Sequence, residues 1–302
     1  MNKVQHALVV LLTGVTIYHC AAQQDTQFSQ YMLNPLLFNP AYAGSREVIS
    51  ITTLHRAQWL GIDGAPSTQN IAIHAPVLRG LGAGIIINND AIGNGTVQST
   101  DFKGAVSYTI PLDRDLNTKL SFGLNFGGSL NQVNFNNLVI SNNQTNDQGS
   151  GFFPNFGVGI FLRNPSYYFG LSNSDILENS ITTDNNNDIL YRKIITWHLI
   201  GGYIFRPVTD WQIKPATLTK INSGAPIQID VSLTALFKEK FEFGPSYRFG
   251  SGVSLLLGYH FADNFYGGMA YDNEITDLGG QSFLGKSFEF FLRYEFKDRK
   301  CK

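Results

Sequence analysis

The sequence predicts an all-β fold, a transmembrane barrel of about fourteen antiparallel strands in an outer membrane. Three observations carry this. From residue 48 onward, apolar and polar residues alternate with a period of two rather than 3.6. The connections between these stretches are short at one end of the implied sheet and mostly longer at the other. The chain also opens on an export signal, and no later window holds the roughly 18 consecutive apolar residues of a spanning helix.

Composition narrows the class without choosing within it. The 302 residues suffice for one large β domain, and only 15% are charged, below the roughly 25% of soluble domains. Aromatics are plentiful (23 Phe, 13 Tyr, 3 Trp) and so is glycine, at 30. A membrane barrel has this composition, and so has a large soluble sandwich. The net charge of −1 leaves no electrostatic case for nucleic acid, and the single basic tract is the short tail at 297–302.

Residues 1–22 read as a secretory signal peptide: Lys3, an apolar run over 7–15, and the small-residue site Cys20-Ala21-Ala22. Cleavage there would leave Cys301 as the one cysteine, so neither an intramolecular disulfide nor a cysteine metal site is expected. Residues 23–46 form a lead-in, expected to enter the barrel on the periplasmic side or sit in its lumen, that obeys neither helix nor strand grammar. Asn34-Pro35 and Asn39-Pro40 mark turns, while Phe28, Tyr31, Met32, Leu33, Leu36, Leu37, Phe38 and Tyr42 make it too apolar for a solvated linker. Something must hold it, either the rest of the chain or a partner.

The barrel is expected over 47–296. Its last stretch, 287–296, places Phe288, Phe290, Leu292, Tyr294 and Phe296 on one face and Glu289, Phe291, Arg293 and Glu295 on the other. A strand between lipid and a wet lumen needs that division, because hydrocarbon cannot hydrate charge. The same split recurs over 119–126, 195–206, 227–237 and 253–261, and aromatics such as Trp59, Tyr108, Trp211 and Phe265 fall near strand ends, where an interfacial girdle would place them. Candidate strands are 48–59, 67–76, 81–89, 99–110, 118–129, 152–163, 166–173, 193–206, 211–221, 226–237, 241–249, 252–262, 265–274 and 285–296. Periplasmic turns are expected at 77–80, 111–117, 164–165, 207–210, 238–240 and 263–264, and longer outer loops at 90–98, 130–151, 174–192 and 275–284. Residues 222–225 and 250–251 are short on the long side.

No catalytic chemistry stands out. There is no G-x-S-x-G, P-loop or H-E-x-x-H, so the reading is non-enzymatic and without cofactor. His55, His74, His198 and His260 lie on strands, where polar lumen packing is the expectation. The acidic run at 184–188 resembles a calcium loop in composition only, lacking the Gly and Glu of a hand-type loop. Lys103, Lys119, Arg163, Asp230, Glu242, Arg248, Glu289, Arg293 and Glu295 are expected to line the lumen, either pairing with one another or bounding a channel.

The lead-in carries a resemblance. Asp25-Thr-Gln-Phe-Ser-Gln-Tyr-Met, then Asn34-Pro35 and Asn39-Pro-Ala-Tyr-Ala-Gly44, resembles the N-terminal signature of the PorP/SprF family, and the likeness continues through Arg56, Trp59, Pro66 and Thr68. Thr26 departs from it, standing where the family more often has proline. The resemblance implies an outer-membrane barrel serving type IX protein secretion and the gliding machinery that depends on it. The partners it implies are secreted cargo, such as a large surface adhesin or its C-terminal domain, and periplasmic or outer-membrane secretion components. Within the lead-in, Phe28, Tyr31, Asn34, Pro35, Phe38, Asn39, Pro40, Tyr42 and Gly44 are the expected partner-contact residues, with a lumen plug as the alternative. A passive channel for small or hydrophobic solutes, like fatty-acid transporters, is the competing function.

Overall fold

A computed structural model describes residues 27–134, 148–182, 189–193, 195–222, 226–275 and 285–297. The expected signal peptide, the acidic run at 184–188 and the tail beyond 297 lie outside the described residues. Strands β1 (Ile49–Ala57), β2 (Ser67–Leu78), β3 (Leu81–Ile92) and β4 (Val97–Pro111) open the sheet. β5 (Lys119–Asn134), β6 (Gln148–Asn164) and β7 (Tyr167–Asn173) continue it. A separate hairpin pairs β8 (Asn179–Thr182) with β9 (Ile189–Lys193). Then come β10 (Thr196–Tyr203), β11 (Phe205–Val208), β12 (Trp211–Asn222), β13 (Gln228–Phe237), β14 (Phe241–Arg248), β15 (Gly252–Ala262), β16 (Phe265–Glu274) and β17 (Lys286–Phe296).

Neighbours pair antiparallel, and β1 closes on β17 in continuous register from Ile49 opposite Phe296 to Ala57 opposite Phe288. β10 and β11 both pair with β12 and form one stave interrupted at Ile204. The sheet of 15 strands is therefore a closed barrel of 15 − 1 = 14 staves. Across Ile204 the register is unbroken, from Gly202 opposite Ala216 to Phe205 opposite Ile213, and the one shift lies between Phe205 and Val208, around Pro207, which has no N–H for the ladder. Closure leaves no exposed sheet edge, which a bilayer would not tolerate.

Side-chain parity follows the expected division. On β13, Ile229, Val231 and Leu233 face out, while Asp230, Ser232 and Thr234 are buried within. The interior is not simply wet, however. Leu54, Phe161, Ile200, Leu218 and Phe291 also point inward, as an apolar lining. Several expectations need correction: the loop expected at 130–151 loses both ends to β5 and β6, and the one expected at 174–192 carries the β8–β9 hairpin. The loop expected at 90–98 shrinks to 93–96, because β3 and β4 extend toward each other across Gly93, Asn94 and Gly95, all at positive φ. His55 is exposed on the outer face of β1, since inward parity there belongs to Ser50, Thr52, Leu54 and Arg56.

The lead-in folds into three successive 3-10 turns, Tyr31–Leu33, Pro35–Leu37 and Pro40–Tyr42. Each Asn-Pro pair starts a turn: proline needs no N–H in the first position, and Asn39 Oδ1 accepts from the Ala41 N–H at 2.9 Å. This segment runs along the barrel axis. Gln27 bonds Gln228 at the long-loop end of β13, whereas Glu47 meets Lys119 and Arg163 at the short-turn end. Short turns mark the periplasmic end of such barrels. The segment therefore starts level with the outer half of the wall and leaves at the periplasmic end, instead of simply joining the barrel from the periplasmic side.

Candidate functional site

The lumen, filled by residues 27–47, is the candidate site. Nearest the outer end, the Phe28 carbonyl accepts from Arg248 Nη2 at 3.5 Å, and Arg248 Nε also bonds Asp230 at 2.8 Å. The Ser29 and Gln30 N–H groups each donate to the Glu289 carboxylate at 2.9 Å. Tyr31, 1% exposed, donates its hydroxyl to the Ala216 carbonyl at 2.9 Å and lies 3.1 Å from Ser232 Oγ. Asn34 Nδ2 donates to Asn70 Oδ1 at 3.1 Å. Further down, Ser172 donates to the Phe38 carbonyl at 2.9 Å, and Asn39 Nδ2 donates to the Ile160 carbonyl at 2.9 Å. Ser107 holds the Ala43 carbonyl at 2.7 Å, and the Gly44 N–H donates to His74 Nδ1 at 3.1 Å. The partners belong to β2, β4, β6, β7, β12, β13, β14 and β17, so the segment is fastened around the whole circumference.

Apolar packing matches the polar fastening. Phe28 and Phe38 meet edge to face at 6.3 Å, and Tyr42 stands edge-on to Phe161 at 5.3 Å. With Tyr31 and Ala41 they form one core with Leu54, Ile200, Leu218 and Phe291 of the wall. Burial of a large apolar side chain stabilises by about 1.5–3 kcal/mol, so each buried aromatic of the plug outweighs a single hydrogen bond of about 0.5–1.5 kcal/mol.

Arg56 is the charged hub. It is 2% exposed, pairs with Asp272, lies 3.2 Å from Glu289 Oε2 and reaches Ser29 Oγ at 3.3 Å. Such buried pairs add little net stability because desolvation offsets the attraction, yet removing one partner costs about 3–5 kcal/mol. At the periplasmic end Arg46 pairs with Glu295, which also sits 3.3 Å from Arg293 Nε. Glu47 takes both Lys119 and, at 2.9 Å, Arg163. The hydrogen bonds from Lys119 and Arg163 hold its carboxyl below the usual carboxylate range.

The wall is cut away where the plug backbone runs. A Cβ on Gly123 would lie 2.1 Å from the Ala41 nitrogen, and one on Gly159 would lie 2.1 Å from Asn39 Oδ1. Glycine is required at both positions by close approach, not by backbone conformation.

Each residue expected in partner contact lies inside the barrel. Phe28, Tyr31, Asn34, Pro35, Phe38, Asn39 and Pro40 are buried, and Tyr42 and Gly44 are half-buried against the wall. All nine expected lumen charges have partners: Lys103 with Asp175 at 2.6 Å, Lys119 and Arg163 with Glu47, Asp230 with Arg248, and Glu242 with Lys214 at 3.3 Å. Glu289 joins Arg56, and Arg293 joins Glu295. Sequence reasoning misses Arg56, Asp272, Arg46 and Glu47 as members of this network. Parity along β1 is the available signal for Arg56. Among the described residues, no three His, Cys, Asp or Glu side chains gather as metal ligands.

Known proteins agree with this architecture. The barrel is similar to the Acinetobacter baumannii outer membrane protein Omp33, at 7% identity over 83% of this chain and 98% of that one, with a TM-score of 0.50. It also aligns with the P. putida toluene transporter TodX at 9% identity, over 89% of this chain and 95% of that one, with a TM-score of 0.47. The Omp33 likeness speaks to fold alone, and the weaker TodX likeness bears on neither fold nor function. No curated protein matches the chain. The family model for the type IX secretion system membrane protein PorP/SprF matches residues 20–294, nearly the whole barrel and its plug. The chain belongs to the PorP/SprF family of type IX secretion membrane proteins.

Proposed function

We propose that this protein is an outer-membrane component or cargo-specific accessory of type IX secretion, exported on its N-terminal signal. It helps export large surface proteins, such as gliding adhesins, or holds them at the cell surface. The observation that carries this reading is the plug: residues 27–47 fill the lumen and are bonded to it from end to end. A lumen occupied in this way supports a platform over a passive solute channel. Residues 27–46 serve as a structural plug, because their side chains are spent on the wall. That leaves the outer loops and the periplasmic turns as surfaces for cargo and for secretion components.

Two measurements on the full chain test this. Reconstituted in planar bilayers and liposomes, it should conduct no steady current and admit no small or hydrophobic solute. Pulled down from detergent-solubilised membrane, it should bring a large secreted protein or periplasmic secretion components. A clean monomer that transports solute overturns the proposal.

A further inference from the structure

At the periplasmic mouth, a cleft of about 320 Å³ opens between the plug exit, the β2–β3 turn and the β4–β5 turn. That is the lower end of the roughly 300–1,000 Å³ of ligand sites. Its charged lining is Arg79, Lys119 and Arg163 against the single carboxylate of Glu47, a balance of 3 − 1 = +2. Arg79 is exposed and has no ion pair among the described residues, and Arg163 Nε is buried without a hydrogen-bond partner there. Asp113, on the same turn as Leu116, does not line the cleft; its carboxylate is turned to the Asn117 and Thr118 N–H groups of its own turn, at 2.8 and 2.9 Å. Leu78 and Leu116 line the cleft beside the cations and are 69% and 56% exposed.

Two further features set this cleft apart. Glu47 and Leu116, which both line it, hold φ of 62° and 57°, a left-handed conformation that side-chain-bearing residues seldom adopt. Such outliers gather at ligand clamps. In addition, the Lys119–Arg163 pair already holds a carboxylate, with both cations on Oε1 of Glu47. The chain's own side chain thus occupies a carboxylate site next to an unused arginine and an apolar rim.

We propose that this cleft binds the terminal carboxylate of an apolar peptide presented from the periplasm, in competition with Glu47. Arg79 and the Lys119–Arg163 pair take the carboxylate, and Leu78 and Leu116 cover the adjoining apolar side chain. Capture of a peptide's terminal carboxylate by convergent donors is an established recognition mode. Displacing Glu47 frees the lower end of the plug, so occupancy of the cleft is linked to the segment that fills the lumen.

The test uses the folded full chain in detergent micelles and a fluorophore-tagged tetrapeptide ending in Leu-Leu, with either a free carboxylate or a C-terminal amide. Fluorescence anisotropy should show saturable binding of the acid, at least about tenfold tighter than the amide, the worth of one charge-assisted bond. Arg79→Gln, which disturbs no ion pair among the described residues, should weaken the acid about fivefold or more, and Glu47→Gln should tighten it. A merely structural role for Glu47 would not tighten binding. Equal binding of acid and amide, weaker binding to Glu47→Gln, or no saturable binding overturns the proposal. So does displacement by glycerol phosphate as effective as by unlabelled acid, which would assign the cleft to lipid headgroups.

Discussion

Replacing Glu289 with glutamine tests whether the plug is held from the wall as described. The Glu289 side chain is fully buried and accepts at once from the Ser29 N–H, the Gln30 N–H and Arg56. Glutamine keeps the shape but turns one acceptor into a donor facing these donors. One backbone N–H then loses its partner, at about 1–3 kcal/mol. Arg56 also keeps Asp272 as its only carboxylate, and breaking a buried charge network costs about 3–5 kcal/mol as a whole. The staves keep their own ladders, so the loss should fall on the plug. Hydrogen exchange at the Ser29 and Gln30 amides should speed up by two to nearly four decades, at about 1.4 kcal/mol per decade, while the β5–β6 amides stay protected. Asp272→Asn leaves both plug N–H bonds intact and should have a smaller effect there. Exchange at these two amides within tenfold of the parent would refute the argument that Glu289 fastens the plug.

Three other outcomes are expected. Gly123→Ala places a methyl against the Ala41 backbone, and overpacking of about 1–3 kcal/mol or more should make residues 27–46 sensitive to proteolysis. Gly201→Ala, whose nearest neighbours are 3.7 Å away, should leave protease resistance unchanged. The lowered carboxyl of Glu47 means that its ties to Lys119 and Arg163 persist above the ordinary carboxylate range, near pH 4.3, and are lost as pH falls through the lowered value. Protection factors at residues 46–48, corrected for the intrinsic pH dependence of amide exchange, should therefore fall on acidification in the parent and lose that pH dependence in Glu47→Gln. Leu255→Arg, on the exposed outer face of β15, should cost about 2–4 kcal/mol if it lies near the bilayer midplane, read as a lower urea midpoint for folding into lipid vesicles.

Much of the barrel is legible in the sequence. All fourteen staves occupy the expected stretches, and residues such as Phe122, Leu233 and Leu255 face outward as their parity requires. The β8–β9 hairpin reads as plain loop, because its strands are short and lie between polar stretches. The Ile204 break is hidden because the register runs on across it, so the apolar rhythm of the flanking residues is intact. The lead-in is visibly too apolar to be free, yet its course along the axis is not deducible, because that depends on which wall residues it meets.

The sequence by itself determined the staves, their inward and outward faces and the family, because each strand must satisfy hydrocarbon on one side within its own few residues. Tertiary structure alone decided how the lumen is filled. Arg56 and Glu289 are 233 residues apart, and no local pattern links them. Gly123 carries no side chain that could announce a backbone lying against it. Contacts of that kind exist only once the barrel has closed and brought its staves around a segment that shares no rhythm with them.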